Sequence, residues 1–170
     1  YSGNPVIQAD RPREGGGGTY LFGGTVLYDE EDRVFKMWYR SSAPLEVTDA
    51  KGGYKEGKGG YKACYAVSED GLSWEKPDLG LNEFNCSTYN NLLPPSKDGM
   101  EFIRRPNLIK DYQESDPERR YKMVYMDNID GQWGLSKGFS YDGISWRMNV
   151  GQPHRFERPV APNGVLFGWD

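Results

Sequence analysis

Short runs of alternating apolar and polar residues follow one another along the chain, and each run predicts a β-strand. The runs lie at 19–28, 33–39, 61–67, 73–77, 102–109, 120–125, 133–139 and 145–150. Polar or glycine-rich segments separate them, and no stretch repeats its apolar residues with helical spacing. The pattern therefore predicts an all-β protein built from antiparallel strands and turns.

One turn motif occurs twice in the sequence. Residues 68–74 read Ser-Glu-Asp-Gly-Leu-Ser-Trp, and residues 140–146 read Ser-Tyr-Asp-Gly-Ile-Ser-Trp. An Asp-Gly pair between apolar runs predicts a hairpin, because aspartate accepts hydrogen bonds from turn amides and glycine adopts a positive φ without a clash. The tryptophan then falls on the returning strand, where its large ring can fill the space between two sheets.

The order strand, strand, strand, Asp-Gly turn, strand occurs twice, with Asp70 and Asp142 lying 72 residues apart. Four antiparallel strands per unit at a regular spacing are typical of β-propeller blades. We expect one partial propeller domain that contains about two blades and the start of a third. Its parts are a lead-in loop (1–18), a first blade (19–80), a second blade (81–150), and a link that begins the third blade (151–170).

So few blades do not close a ring, and their edge strands would be exposed. We therefore expect either that further sequence supplies the remainder of the propeller or that copies of the chain associate. The glycine-rich segment 43–60 interrupts the first unit and predicts an exposed excursion. It is either a flexible lip over a site or a surface insertion without a function, and the sequence leaves both open.

The composition limits the partners of the chain. Charged residues make up 27% of the sequence, the mean hydropathy is -0.80, and no apolar run approaches the length of a membrane span. A net charge of -4 and a pI of about 5.2 argue against nucleic acid, which requires a basic surface. An acidic balance with many Trp and Tyr residues favours an oligo- or polysaccharide, because sugars stack on aromatic rings and hydrogen-bond to carboxylates.

The cysteines and the histidine do not indicate a particular function. Cys64 and Cys86 either form a disulfide or remain free thiols, and no Cys-x-x-Cys spacing indicates a metal site. His154 lies in the predicted link, where we expect a solvated loop residue. The chain begins at Tyr1 with neither a methionine nor a signal peptide, so its cellular location stays open, with a secreted or periplasmic one favoured.

The segments that precede the first strand of each unit share an Arg-Pro pair. They are Asp10-Arg11-Pro12, Arg104-Arg105-Pro106 and Glu157-Arg158-Pro159. The first strand of a propeller blade is the innermost, and proline keeps a segment out of the hydrogen-bonded ladder, so the charges would meet around a central channel. Such a ring suits polyol recognition, and paired carboxylates suit glycoside hydrolysis. The alternative is that these residues are loop charges and strand-end ion pairs.

Three stretches carry a resemblance to a known family. They are the Ser-x-Asp-Gly-x-x-Trp turn, residues 75–80 that follow its first copy, and Arg120-Tyr121-Lys122-Met123. Together they resemble the five-bladed β-propeller glycoside hydrolases of the invertase and arabinanase types. The resemblance implies a funnel-shaped active site with three acidic residues from the early blades. It implies no cofactor, although folds of this kind accommodate calcium or another ion in the central channel.

On this resemblance, the candidate catalytic residues are Asp10 and Glu157, and the candidate substrate-binding residues are Arg11, Arg104, Arg105 and Arg158. The sequence departs from the invertase pattern at each acid. Asp10 lies in Asp-Arg-Pro where invertases have Asn-Asp-Pro-Asn, Arg105 replaces the carboxylate of an Arg-Asp-Pro motif, and no Glu-Cys pair marks the third blade.

Three functions therefore stay open. The chain is a glycoside hydrolase-like propeller that acts on a glycan, a non-catalytic carbohydrate-binding propeller, or a repeat scaffold for protein contacts. The charged Arg-Pro segments favour the two glycan functions over the protein scaffold. Arg105 in place of a carboxylate favours the non-catalytic binding propeller over the hydrolase.

Overall fold

The computed structural model describes residues 7–11, 19–42, 61–84, 86–93, 104–129, 132–148 and 154–155. The first sheet (sheet 1) contains β1 (Thr19–Asp29), β2 (Val34–Ser42) and β3 (Tyr61–Ser68), in that order. The second sheet (sheet 2) contains β4 (Arg104–Lys110), β5 (Tyr121–Ile129), β6 (Gln132–Ser140) and β7 (His154–Arg155). All neighbouring strands are antiparallel, so the predicted all-β class is confirmed. The glycine-rich segment 43–60 lies outside the described residues.

The outer edge differs between the two sheets. In sheet 1 the predicted fourth strand (73–77) is reduced to one isolated bridge, from Val67 to Glu75, and a second bridge, from Cys64 to Leu92, lies further along the same edge. Pro77 has no backbone N–H group, so ladder pairing does not continue beyond Glu75. In sheet 2 the edge is formed by the bridge from Phe139 to Arg147 and then by β7.

The structure corrects the prediction for His154. The sequence placed this residue in a link before a third unit, whereas the structure places it in β7, paired with Leu135 of β6. The short strand escaped prediction because two residues among prolines carry no alternating pattern.

The two sheets pack face to face, because alternation along each strand sends side chains to opposite faces. The cluster between the sheets is formed by Trp38, Tyr65, Leu108, Tyr121, Met123, Tyr125, Trp146 and their neighbours. A second cluster covers the opposite face of sheet 1 and contains Ile7, Met37, Tyr39, Cys64, Ala66 and Leu92. Sheet 1 is therefore packed on both faces. Two stacked antiparallel sheets of this kind are consistent with neighbouring propeller blades.

The first strands of the two sheets contact each other through Thr25. Its hydroxyl donates to the carbonyl of Pro106 at 3.3 Å and accepts the backbone N–H of Leu108 at 3.1 Å. The pairing register of β4 shifts between Arg104 and Asn107, around the proline that has no N–H to donate. Pro106 therefore interrupts the ladder, but it does not keep the segment out of it as predicted, because Arg104 pairs with Met126.

Both Asp-Gly turns form as predicted and share one hydrogen-bond pattern. In each, the aspartate Oδ1 accepts the backbone N–H groups of the two residues that follow the glycine. The donors are Leu72 and Ser73 for Asp70 (both 2.7 Å), and Ile144 (2.8 Å) and Ser145 (2.7 Å) for Asp142. Gly71 and Gly143 have φ of +73° and +76°, which glycine adopts without strain. These backbone hydrogen bonds lower the pKa of Asp70 to about 2.

Only the second turn takes part in the contact between the sheets. The carbonyl of Gly143 accepts the indole N–H of Trp146 at 3.0 Å and that of Trp38, from sheet 1, at 2.6 Å. The carbonyl of Gly71 accepts the indole of Trp74 at 3.2 Å, and this ring packs against the second cluster. The predicted role of the tryptophan, to fill space between sheets, is confirmed for Trp146.

The two glycines provide a matched pair for measuring this difference. A Cβ atom at position 143 would lie 2.8 Å from the Trp38 ring, whereas at position 71 the nearest atom, in the Phe35 ring, is 3.5 Å away. We expect Gly71→Ala to lower the free energy of unfolding by about 1–2 kcal/mol, from backbone strain alone. Gly143→Ala should cost about 1–3 kcal/mol more through overpacking. Urea unfolding followed by circular dichroism measures both, and equal losses would contradict the assigned contact.

Candidate functional site

Asp10 is an exposed carboxylate that is held by a buried ammonium group. Lys76 Nζ lies 2.7 Å from Asp10 Oδ1 and also donates to the backbone carbonyl of Gln8. The side chain of Asp10 is 59% exposed and that of Lys76 only 5%. Arg11 Nε lies 3.9 Å from the same carboxylate oxygen. Asp10 and Arg11 thus form a small charged group that solvent can reach.

The position of Asp10 follows from the packing of residues 7–11 on sheet 1. Ile7 belongs to the second cluster, so this segment crosses the face of sheet 1 that is turned away from sheet 2. Lys76 follows the bridging residue Glu75 at the outer edge of the sheet, and its Nζ lies 6.0 Å from the centre of the Tyr39 ring on β2. The structure therefore places Asp10 over the face of sheet 1 that is turned away from sheet 2, beside Lys76.

The ion pair sets the protonation state of Asp10. The hydrogen bond from Lys76 lowers the pKa of Asp10 below its ordinary value, and the smaller opposing effect of burial does not cancel it. Asp10 is therefore ionised at neutral pH. An ionised, exposed carboxylate accepts hydrogen bonds from hydroxyl groups and serves as a base or nucleophile, but not as a general acid.

The remaining predicted site residues are only partly described. The backbone of Arg104 and Arg105 begins β4, which contacts the first strand of sheet 1. Their side chains, and all of Glu157 and Arg158, lie outside the described residues. The convergence of these four residues with Asp10 and Arg11 around a channel stays a prediction.

A second charged group, which the sequence analysis missed, lies between the two sheets. Asp29 at the end of β1 accepts hydrogen bonds from Lys36 Nζ and Lys110 Nζ, both at 2.7 Å, and from the hydroxyl of Tyr121. Its Oδ1 also accepts the backbone N–H of Glu31 at 3.1 Å. The side chain of Asp29 is 0% exposed, so the group joins the sheets and offers no surface to a ligand. The sequence signal that could have revealed this group was Lys36, a charged residue in a strand-like run that is rich in aromatic residues.

Hydrogen bonding keeps this buried carboxylate charged. Burial raises the pKa of Asp29, but the hydrogen bonds from Lys110, Lys36 and Tyr121 outweigh it and hold the pKa well below its ordinary range. For Lys110, burial acts to lower the pKa, and the hydrogen bonds to Asp29 and Glu31 raise it well above its ordinary range. Both partners therefore stay ionised, and each depends on the other for compensation.

Both cysteines are free thiols, of which Cys64 is buried and Cys86 exposed, so the disulfide alternative is excluded. Within the described ranges, no group of three or more His, Cys, Asp or Glu side chains is arranged to hold a metal ion, and calcium in a central channel stays a prediction. The described part of the chain also contains no helix of the length and hydropathy needed to cross a membrane.

No protein-family model matches this chain, and no curated protein sequence matches it. Among solved structures, the chain is similar to a candidate glycoside hydrolase from Parabacteroides distasonis, with a TM-score of 0.50 and 16% identity over 85% of this chain. The match spans 39% of that protein. At this identity the similarity shows a shared fold.

Two further structures match more weakly. A fructofuranosidase from Schwanniomyces occidentalis in complex with fructosylnystose has a TM-score of 0.44 and 15% identity, over 72% of this chain and 22% of its own. An N-acetylgalactosamine deacetylase from F. plautii in complex with blood group B trisaccharide has a TM-score of 0.40 and 15% identity, over 78% and 35%.

The protonation state of Asp10 is testable by removing its partner. Lys76→Met keeps most of the length of the buried side chain but removes the ammonium group, so we expect the pKa of Asp10 to rise towards its ordinary value. A pH titration of the side-chain carboxyl followed by NMR measures the shift. Lys122→Met, which removes an ammonium group from sheet 2, should leave the titration of Asp10 unchanged. An unchanged titration in Lys76→Met would contradict the ion pair.

The role of Asp29 is tested by comparing a substitution of Asp29 with one of Asp32, because both carboxylates contact Lys36. Asp29→Asn removes the buried counter-ion that two buried lysines share and leaves each of them with one exposed carboxylate, so it should lower the free energy of unfolding by about 3–5 kcal/mol. Asp32 also contacts Lys36, but its side chain is 58% exposed, so Asp32→Asn should cost less than about 1 kcal/mol. Urea unfolding near pH 7 compares the two, and similar losses would contradict the assignment.

The loss of unfolding free energy caused by Asp29→Asn should depend on pH in a defined direction. Because the folded pKa of Asp29 is depressed, the unfolded chain binds more protons below its own carboxyl pKa of about 4. The stability that Asp29 contributes is therefore present above about pH 5 and is lost as the pH falls below about 4. The difference in unfolding free energy between the wild type and Asp29→Asn should stay constant from pH 5 to pH 8, as rough limits, and shrink in acid.

Proposed function

We propose that this chain is part of a five-bladed, glycoside hydrolase-like β-propeller and that it acts on a glycan in a central funnel. The observation that carries the proposal is the ionised and exposed Asp10 carboxylate beside two cations, in a chain that shares its fold with a candidate glycoside hydrolase. The acidic, aromatic-rich composition supports a saccharide as the partner.

Glycoside hydrolysis requires two carboxyl groups in different protonation states. We assign the ionised role to Asp10, because the Lys76 ammonium lowers its pKa. Asp10 either attacks the anomeric carbon or takes a proton from the water that does so. Glu157 is assigned the protonated role, in which it gives its proton to the departing glycosidic oxygen.

The arginines are assigned to substrate binding. The guanidinium of Arg11 lies beside Asp10, where it can donate to sugar hydroxyls next to the reacting carbon. Arg104, Arg105 and Arg158 are assigned the same role at the starts of the inner strands. Because these groups are permanently charged donors, they suit a polyol better than an apolar ligand.

A non-catalytic carbohydrate-binding module is the second candidate. Arg105 occupies the place at which invertase-type enzymes carry a carboxylate, so one of their three acids has no counterpart at this position. A chain that lacks one acid keeps the hydrogen-bonding ring but loses a step of the chemistry. The two candidates differ in turnover and not in binding.

The experiment measures binding and turnover on the same glycans. A glycan array identifies ligands, and a reducing-end assay on those ligands measures hydrolysis. We expect Asp10→Asn to lower hydrolysis at least about 100-fold and to leave array binding within a few-fold of the wild type. Glu69→Gln, which removes an exposed carboxylate at the first turn, serves as the matched control and should change neither.

The outcomes separate the three functions. Binding with hydrolysis that depends on Asp10 supports the proposal. Binding without release of reducing ends contradicts the hydrolytic role and selects the carbohydrate-binding module. The absence of both contradicts a glycan function and selects the protein scaffold.

A further inference from the structure

A cavity of about 190 Å³ opens where the second Asp-Gly turn leads into the bridge between Phe139 and Arg147, at a place called here the sheet 2 corner (residues 139–147). The residues that line it are Glu118, Phe139, Ser140, Tyr141, Asp142, Ser145, Trp146 and Arg147. They come from the turn, from the two segments that the turn joins, and from the connection between β4 and β5. The cavity therefore brings aromatic rings, hydroxyl groups and charges of both signs together.

Tyr141 supplies the accessible aromatic surface of the cavity. Its side chain belongs to a residue that is 64% exposed. The Phe139 ring is less accessible, because the guanidinium of Arg119 lies over it, 4.6 Å from the ring centre, and the charge of Arg119 also acts on Glu114. A ligand in the cavity can therefore stack on the Tyr141 ring.

The open charges of the lining are opposite in sign. Glu118 and Arg147 are both exposed. The carboxylate of Asp142 is used within the turn, where Oδ1 accepts the backbone N–H groups of Ile144 and Ser145. A carboxylate accepts hydrogen bonds from hydroxyl groups and a guanidinium donates hydrogen bonds to them. One open group of each sign therefore suits a neutral ligand that carries several hydroxyl groups.

The corresponding corner of sheet 1 (the sheet 1 corner, residues 67–75) has a different composition. Glu69 occupies the position of Tyr141, and Glu75 occupies that of Arg147. Glu118 comes from a single 3₁₀ turn in the connection 111–120, whereas the connection between the first two strands of sheet 1 is limited to 30–33. The groups that form the cavity are therefore additions at the sheet 2 corner and not a general consequence of the Asp-Gly turn.

A further sheet packed on the outer face of sheet 2 would leave the sheet 2 corner open. Sheet 2 packs on sheet 1 in this way, and Glu69, Asp70 and Glu75 of the sheet 1 corner nevertheless stay exposed. Val67, the counterpart of Phe139, packs against the cluster between the sheets. The cavity is therefore compatible with the proposed propeller.

The sheet 2 corner is remote from the candidate site around Asp10. Sheet 1 lies between them, because Asp10 lies over the face of sheet 1 that is turned away from sheet 2. In sheet 2, Ser140 pairs with Tyr121 and Tyr121 pairs with Lys110, which is at the opposite end of β4 from Arg104. A strand of seven residues is about 20 Å long. A ligand at the sheet 2 corner therefore occupies a second site.

We propose that the sheet 2 corner binds one residue of a neutral saccharide. The Tyr141 ring stacks on a face of the sugar, and Glu118 and Arg147 form hydrogen bonds with its hydroxyl groups. The class of ligand is inferred from the lining residues, so the proposal goes beyond the proposed function and requires no hydrolysis. A polysaccharide that reaches both this site and the funnel would be held more tightly than by either site alone.

The site is tested by NMR titration of the ¹⁵N-labelled chain with the methyl glycosides of glucose, galactose, mannose, fructose, arabinose and xylose. We expect at least one of them to shift the backbone amide signals of Ser145 and Arg147. Tyr141→Ala should weaken that binding at least about fivefold, because the stacking contact is lost. Tyr89→Ala, which removes a tyrosine that is 76% exposed in another segment, is the matched control and should leave the binding unchanged.

A second variant gives the sheet 2 corner the residues of the sheet 1 corner. In Tyr141→Glu, Arg147→Glu the ring and the guanidinium are both lost, and the shifts of Ser145 should disappear. Both positions are exposed, so we expect the fold to be kept. Circular dichroism checks this, and Tyr141→Ala provides the test if the double variant is not folded.

Several outcomes would overturn the proposal. They are the absence of shifts at the sheet 2 corner with all six glycosides, and shifts that survive the double substitution. Shifts caused by N-acetylarginine amide but by none of the glycosides would select a basic peptide and contradict a saccharide. Shifts confined to Arg11 and Lys76 would overturn this proposal and support a saccharide beside Asp10, so that its failure is distinguished from failure of the proposed function.

Discussion

The arrangement of the two sheets depends on one buried carboxylate that is neutralised from both sides. Asp29 ends the first strand of sheet 1, and its cationic partners come from β2 of its own sheet and β4 of the other. Contacts between apolar rings tolerate small shifts, but a displaced carboxylate would leave buried charges without compensation. The ion pairs therefore specify the register at which sheet 2 packs on sheet 1, while the aromatic cluster supplies most of the buried apolar area.

The same physical requirement positions the candidate catalytic residue. Lys76 is buried at the edge of sheet 1, and a buried ammonium needs a counter-ion. Asp10 provides it and thereby ties residues 7–11 to the sheet. One ion pair thus determines both where the carboxylate lies and that it is ionised, which links the packing of the chain to the proposed chemistry.

The parts of the fold that follow from local pattern could be predicted from the sequence. Alternation identified the principal strands, and the Asp-Gly pairs identified both turns, because these features depend on residues that are neighbours in the chain. The Asp29 group could not be predicted in this way, since Lys110 and Tyr121 lie more than eighty residues further along the sequence. The partner of Asp10 was missed for the same reason, as Lys76 belongs to another segment.

The carbonyl oxygen of Gly143 is shared by the indoles of Trp38 and Trp146, one from each sheet. Separation of the sheets removes the first of these hydrogen bonds and opens both rings to water. Trp74, at the corresponding corner of sheet 1, has no such partner across the interface in the part of the chain that is described. Among the tryptophans whose side chains are described, two indoles therefore report how closely the sheets are apposed, and Trp74 provides the reference.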